Sequence, residues 1–367
     1  MNYSQADKQY MKRALQLASE VKGTTFPNPA VGAVVVQCGE IVGEGATEPC
    51  GGAHAETIAL KKAGVKAKGA TLYVTLEPCC HFGRTPPCTD FIIASGIKKV
   101  FSAVKDPNPQ VSGKGISQLK DHGIETSTGL LRHEAARINE DFFWSIVKKS
   151  AWITLKLALT LDGRIADWKQ DSKWITSAAS RDFVQQLRNS HAAIAVGRKT
   201  LEKDNPRLTA RCKKVTYPAR IVFSSTHAIP PQTYFYKNAG QTRSIIVVNS
   251  TKKGIEYHKG LEIWNTGTKD SLESLTAFVS IAHQQGLNSI FIEGGQHLAS
   301  LFLQAKLVNK LYLFYGNKIV GNGLNGIQFP AGLDIEKPIT LGDIEYRQFS
   351  DDLMLSGTPH YPAIESN

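Results

Sequence analysis

Short apolar runs alternate with helix-patterned stretches along almost the whole chain, and this alternation restricts it to layered α/β folds. In the first stretch the runs are residues 30–36, 70–76 and 99–104, separated by helical patterns at 54–63 and 90–94. Gly and Pro stand at the junctions, where a buried run gives way to a turn. Ser4 precedes apolar positions at helical spacing (Met11, Ala14, Leu15, Ala18, Val21), with Asp7 placed for a capping box and Gly23 for a stop, so an amphipathic helix opens the chain. Residues 131–149 read as one last helix before a boundary near Lys149. A second series follows, with strands at 152–161, 193–196, 220–224, 244–248, 289–292 and 310–315 and helices near 177–190, 271–285 and 297–305. The expected division is therefore 1–149 and 150–367, two α/β domains, with 353–367 read as a loosely held tail.

Composition narrows the function classes. At 42% hydrophobic and 20% charged the chain is globular, and no run approaches the ~18 apolar residues of a membrane span. Charge is spread through the first 22 residues without an apolar signal core, so the expected compartment is the cytoplasm. Six cysteines in a reducing compartment read as thiols, nucleophiles or metal ligands sooner than as disulfides. The 43 Lys and Arg exceed the 32 Asp and Glu by 11, but no basic block stands out. Phosphorylated small molecules fit this scattered charge better than nucleic acid or membrane.

His54-Ala55-Glu56 opens a helix, Pro78-Cys79-Cys80 follows a strand, and Cys88 enters another helix after Pro86-Pro87. One His and two thiolates are a catalytic zinc set, three ligands with the fourth position left open. Glu56, held off the metal, is placed to move a proton from water to a leaving amine. His-x-Glu followed by Pro-Cys-x-x-Cys is the pattern of zinc nucleobase deaminases. Here the short second spacing is missing: His81 and Phe82 follow Cys80, and eight residues separate Cys79 from Cys88. Cys80 and, more weakly, His81 are rival ligands. Adjacent residues of an extended backbone point to opposite sides, which favours the pair Cys79 and Cys88.

The stretch from Glu77 through Gly83-Arg84-Thr85 to Cys88 resembles the long-loop metal motif of the bifunctional riboflavin-biosynthesis deaminase-reductases. Asn28-Pro29-Ala30-Val31-Gly32, Asp106-Pro107-Asn108-Pro109, Leu161-Asp162-Gly163-Arg164, Trp174-Ile175-Thr176, Asp204-Asn205-Pro206 and Glu293-Gly294-Gly295 recur in the family's order, so the resemblance spans nearly the whole chain. It implies a cytidine-deaminase-like domain followed by a dihydrofolate-reductase-like domain. The first would deaminate a diaminopyrimidinone ribosyl phosphate, and the second would use NADPH to reduce the product's ribosyl chain to ribityl. By matching motif, His54, Cys79 and Cys88 would bind one zinc per chain, Glu56 would carry protons, Asn28, Asp106 and Asn108 would hold pyrimidine and ribose, and Arg84 would meet the phosphate. Where the family usually has a histidine seven residues before His54, this chain has Thr47, whose hydroxyl is a candidate replacement donor.

In the second half no Gly-x-Gly-x-x-Gly follows a strand, so a Rossmann-type site has no support. An apolar strand ending in Gly294-Gly295 before a helix lets backbone amides approach a phosphate. By resemblance, Gly294, Gly295, Gln296, His297, Leu298, Ala299, Ser300 and Leu301 would cradle the cofactor, joined by Ala158, Trp174, Thr200, Asp204 and Ser225. Lys156, Ser172, Arg188, Leu208, Arg211 and Glu293 would meet the second substrate, with Asp204 also the candidate polar assistant in catalysis. A homo-oligomer is expected. The rival classes are a nucleic-acid or free-base deaminase with an accessory domain, and a non-catalytic protein on a deaminase scaffold. The first lacks its short Pro-Cys-x-x-Cys here, and the second would be expected to have lost Glu56.

Overall fold

Apolar runs without alternation become central strands, because a strand covered on both faces has no wet side. A computed structural model describes residues 3–82, 86–109, 111–212 and 216–362, and the chain divides into two compact units, Met1–Lys149 and Ser150–Asn367. The first unit runs α1 (Gln5–Val21), β1 (Gly32–Gln37), β2 (Glu40–Ala46), α2 (Ala55–Ala63), β3 (Thr71–Leu76), α3 (Cys88–Ala94), β4 (Lys99–Val104), α4 (Lys114–Asp121), β5 (Glu125–Thr128), α5 (Arg132–Ile138) and α6 (Glu140–Lys148), with a single 3-10 turn at Gly64–Ala67. Its sheet has the order β2-β1-β3-β4-β5; β1 is antiparallel to β2 and β3, while β3, β4 and β5 are parallel. Ser4 and Asp7 form the reciprocal capping box at α1.

Two glycines of β2 set the seat of α2. A Cβ on Gly45 would lie 2.2 Å from the carbonyl oxygen of Ala55, and one on Gly43 would lie 2.1 Å from that of Ala59. Only a residue without a side chain lets the helix start come so close to the strand, and that start carries His54 and Glu56.

Sequence pattern and structure differ in several places, among them the following. The stretch 131–149 is two helices parted at Asn139, whose buried side-chain amide accepts from Ala30 N and donates to Ala30 O, both at 2.8 Å. Strands β2 and β5 escaped the apolar pattern because one is half-exposed and glycine-bearing and the other is Glu-Thr-Ser-Thr. Residues 353–360 are not a loose tail. They belong to a strand inside the second sheet, with Met354 buried and Tyr361 hydrogen-bonded to the backbone of Val308.

The second unit runs β6 (Trp152–Thr160), β7 (Arg164–Asp167), α7 (Ala178–Asn189), β8 (Ala193–Gly197), α8 (Arg198–Asp204), β9 (Ala219–Ser224), α9 (Tyr234–Lys237), β10 (Ser244–Val248), β11 (Lys253–His258), β12 (Leu261–Thr266), α10 (Ser271–Gln284), β13 (Ser289–Glu293), α11 (Gln296–Gln304), β14 (Lys310–Gly316), β15 (Gly323–Asn325), β16 (Thr340–Phe349) and β17 (Asp352–His360). The ten-stranded sheet has the order β11-β12-β10-β9-β8-β13-β6-β14-β17-β16, parallel from β12 to β14 and closed by antiparallel strands on both sides. From β6 the chain builds outward through β8, β9 and β10, then returns to insert β13 between β8 and β6. In open α/β sheets such a reversal opens a crevice beyond the carboxyl ends of the strands.

Candidate active site

Three potential ligands from three different segments converge in the first unit. His54 N-caps α2, Cys79 follows β3, and Cys88 is the first residue of α3. Their ligand atoms all lie within 4.8 Å of one another, with His54 Nδ1 3.2 Å from Cys88 Sγ and 3.5 Å from Cys79 Sγ. Tetrahedral zinc with ordinary Zn–N and Zn–S bonds sets a ligand N to S separation of about 3.5 Å, so the donor set fits that ion in both chemistry and spacing. The Cys80 thiol is not part of the cluster among the described residues, and burial pushes it up.

Electrostatics sharpen the cluster. A hydrogen bond from Cys88, reinforced by His54, pulls the Cys79 thiol down to about 4, the state a metal ligand needs. The same bond, with burial, raises Cys88. Glu56 sits in the first turn of α2 with only 4% of its surface exposed; burial, with the Cys79 charge added, pushes its carboxyl up to about 7. A carboxyl with a pKa near neutrality exchanges protons readily in both directions at physiological pH.

The loops expected to hold substrate belong to the same unit. Asn28 lies just before β1; Thr25 Oγ1 donates to its carbonyl and the Asn139 amide brackets Ala30, two residues on. Asp106 is buried, and burial pushes its carboxyl up to about 6 even though it accepts from Asn108 N at 2.8 Å. Arg84 lies outside the described residues. Thr47 does not offer its hydroxyl as the replacement donor: the buried Oγ1 accepts from Val31 N at 3.2 Å and donates to Val31 O at 3.4 Å, so it is spent on the backbone just before β1.

In the second unit, Lys156 of β6 and Glu293 of β13 are register partners. Arg188 of α7 closes on Glu293 as a two-pronged ion pair, Nε to Oε1 at 2.7 Å and NH2 to Oε2 at 2.6 Å. Burial alone would raise Glu293, but the charge and hydrogen bonds of Arg188, with Lys156 behind them, hold it at about 2. Burial lowers Lys156. The fork of Arg188, expected to meet the second substrate, is thus engaged by a carboxylate, and its NH1 donates to Thr209 O, between Leu208 and Arg211.

Gly294 follows β13 and Gly295 N-caps α11 with no side-chain cap, so backbone amides define that helix start. A Cβ on Gly295 would lie 3.6 Å from Thr200 Oγ1 of α8, which brings two expected cofactor residues together. Ser225 directly follows β9, Asp204 is the exposed last residue of α8, and Ala158 faces Phe314 in register. Trp174 is exposed on the loop before α7, its ring stacked on the Arg181 guanidinium at 4.3 Å, with Ser172 half-buried on the same loop. Gln296 bonds Gln328, and His297 is exposed. Leu208, Leu298, Ala299 and Ser300 are buried and Leu301 partly so, which leaves mainly their backbone to face a ligand. Arg211 is exposed.

Two residues escaped the sequence reading. Asn139 carries no local signal, because its role exists only once Ala30 is folded against it. Glu77 stands beside Pro78-Cys79 in the motif but was passed over; its buried carboxylate accepts three backbone amides.

Comparison with known proteins came to the same two halves. Residues 4–104 match the model of the cytidine and deoxycytidylate deaminase zinc-binding region, and residues 151–355 match that of the RibD C-terminal domain. The chain is 44% identical over 325 residues to the riboflavin biosynthesis protein RibD of Aquifex aeolicus, covering 87% of this chain and 89% of that one. Among solved structures, an Acinetobacter baumannii RibD superposes with a TM-score of 0.85 at 31% identity, covering 97% and 99% of the two chains. A diaminohydroxyphosphoribosylaminopyrimidine deaminase/5-amino-6-(5-phosphoribosylamino)uracil reductase of Thermotoga maritima superposes at 0.84 with 37% identity and the same coverage.

Proposed function

The chain belongs to the RibD family of bifunctional riboflavin-biosynthesis enzymes, with a zinc-binding deaminase domain and a reductase domain, and we propose the following assignment of its chemistry. Residues 1–149 hydrolytically deaminate 2,5-diamino-6-(5-phosphoribosylamino)pyrimidin-4-one. Residues 150–367 reduce the ribosyl chain of the resulting 5-amino-6-(5-phosphoribosylamino)uracil with NADPH. The observation that carries the first half is the meeting of His54, Cys79 and Cys88 beside a buried carboxyl at about 7.

His54, Cys79 and Cys88 hold one zinc per chain. Bound there, zinc supplies Lewis-acid activation of water. Glu56 takes the proton of the attacking water and delivers it to the departing amine, which its neutral pKa permits in both directions. Asn28, Asp106 and Asn108 orient the pyrimidine and ribose, and Arg84 takes the phosphate. In the reductase, Gly294, Gly295 and the α11 amides bind the cofactor pyrophosphate with Thr200, Ser225, Trp174 and Ala158 around it. NADPH supplies the hydride when bound. Lys156, Ser172, Leu208, Arg211 and Glu293 position the sugar chain, Arg188 holds Glu293 in place, and Asp204 assists proton delivery.

The partners in this reading are phosphorylated pyrimidines in the cytoplasm, not nucleic acid or membrane; among the described residues no helix is long and apolar enough to cross a membrane. Exposed Ile344 and Tyr346 on the edge strand β16 favour a homo-oligomer, measurable by light scattering. The decisive experiment gives purified protein the diaminopyrimidinone ribosyl phosphate with and without NADPH and separates products by mass. Loss of ammonia without cofactor, then a gain of two hydrogens with it, is expected. Metal analysis tests the ligand set: Cys88→Ser should lose zinc and deamination, Cys80→Ser should keep both, and the reverse pattern overturns the assignment.

A further inference from the structure

Asp106 and Asn108 stand on the segment between β4 and α4, while Cys79 stands on the segment after β3. Something has to hold these two segments in register, since both are irregular and irregular backbone is easily displaced. Glu77 meets that need. Its backbone N–H donates to Val104 O at 2.9 Å, carrying the β3 to β4 pairing one residue past the strand end. Its carboxylate, 3% exposed, accepts from Asp106 N at 3.2 Å and Gly113 N at 2.9 Å through Oε2, and from Ile116 N at 3.2 Å through Oε1. One side chain therefore clasps both ends of the 106–113 segment.

The clasp also completes a helix. The N-cap of α4 is Gly113, at φ 83, which has no side chain to satisfy the first amides of the helix. Glu77 supplies the missing acceptor from the residue after β3, and a carboxylate at a helix start also suits the helix dipole. A second contact holds the same two segments together: a Cβ on Gly115 would lie 2.1 Å from Pro78 O, so α4 rests on the residue next to Cys79.

We propose that Glu77 is a positioning residue of the deaminase, fixing the Asp106 to Asn108 segment at a set place relative to Cys79. It acts through backbone amides and not by touching the reacting atoms. This rests on the reading of Asn108 as a substrate contact. Glu77→Gln keeps the shape but sets an amide donor against backbone donors, so the clasp opens on one side.

The test uses the full-length protein, whose reductase turnover on the same chain serves as internal control. Glu77→Gln should keep its zinc and its reductase rate, while the deaminase KM rises roughly tenfold, as for one lost hydrogen bond to a charged group. Deaminase kcat should fall by less. In the double variant Glu77→Gln/Asn108→Ala the KM should match that of Asn108→Ala alone, because both act through one contact. A lower thermal midpoint with unchanged KM, multiplying effects in the double variant, or zinc loss in step with activity overturns the proposal. If Asn108→Ala raises KM and Glu77→Gln does not, the substrate reading stands and the positioning role falls. If Asn108→Ala itself leaves KM unchanged, the substrate reading falls, and the positioning role with it.

Discussion

Glu56 is buried and Glu293 mostly so, each at the heart of its unit, and their environments push the two carboxylates in opposite directions. Glu56 is sunk at a helix start beside thiolate-forming Cys79, and its carboxyl is pushed up to about 7. Glu293 receives two hydrogen bonds from Arg188 and the field of Lys156, and stays charged with a pKa of about 2. Burial raises both; at Glu293 the neighbouring cations Arg188 and Lys156 outweigh it. In the proposed mechanism the deaminase half needs a carboxyl that changes protonation during each turnover, whereas the reductase half keeps a permanent anion that orders its neighbours. In the proposed reading one residue type serves as proton carrier in one domain and as fixed charge in the other.

The contrast is sharpest when each carboxylate becomes an amide. Glu56→Gln preserves shape but carries no proton, so deamination should fall by at least roughly 10²-fold, within the range known for general acid-base groups, while zinc and reductase activity remain. Near-normal turnover with full zinc content would mean that another group carries the proton. Glu293→Gln leaves Arg188 buried without its anion, and chemical denaturation of the second unit should show a loss on the order of 3–5 kcal/mol. An unchanged denaturation midpoint would make the pair structurally idle and erase the comparison.

Acid offers the same test without a substitution. Glu293 is held below its ordinary value of 4.5, so its contribution to stability is complete above about pH 4.5 and disappears as pH falls toward about 2. The second unit of the parent protein should lose on the order of 3 kcal/mol across that window beyond what Glu293→Gln loses. Parallel acid profiles for the two proteins would show that Glu293 titrates normally. The smallest effect expected concerns Arg211, which is exposed. Arg211→Ala should raise the reductase substrate KM roughly tenfold with little change in NADPH affinity. Arg207, whose guanidinium sits over the Tyr234 ring, is the control, and equal small effects from both would remove Arg211 from the site.

Much of this was legible in the linear chain. Short, mainly apolar and β-branched runs such as 70–76 and 244–248 read as covered strands, and their alternation with helical patterns reads as α/β without any tertiary information. The boundary near Lys149 and the metal motif were equally local, because His-x-Glu and Pro-Cys need nothing beyond their own spacing to be noticed. The pattern failed where pairing, not side-chain apolarity, makes the element: polar β5 is a strand because β4 offers it a ladder, and Asp352–His360 is ordered because it lies between β14 and β16.

What only the tertiary structure decided is the partner of each polar group. The resemblance set Arg188 beside the second substrate, and the fold delivers Glu293 to it from 105 residues away, so that its fork holds a carboxylate. Thr47 presented a hydroxyl whose use was settled by Val31 across the sheet. Glu77 stood in plain view in the motif, yet its work on Asp106, Gly113 and Ile116 begins only when β3 and β4 pair. The physical reason is common to all three. Apolar periodicity is a property of neighbours along the chain, whereas a hydrogen bond or a shifted pKa depends on angstrom-scale distances between residues that only the closed fold brings together.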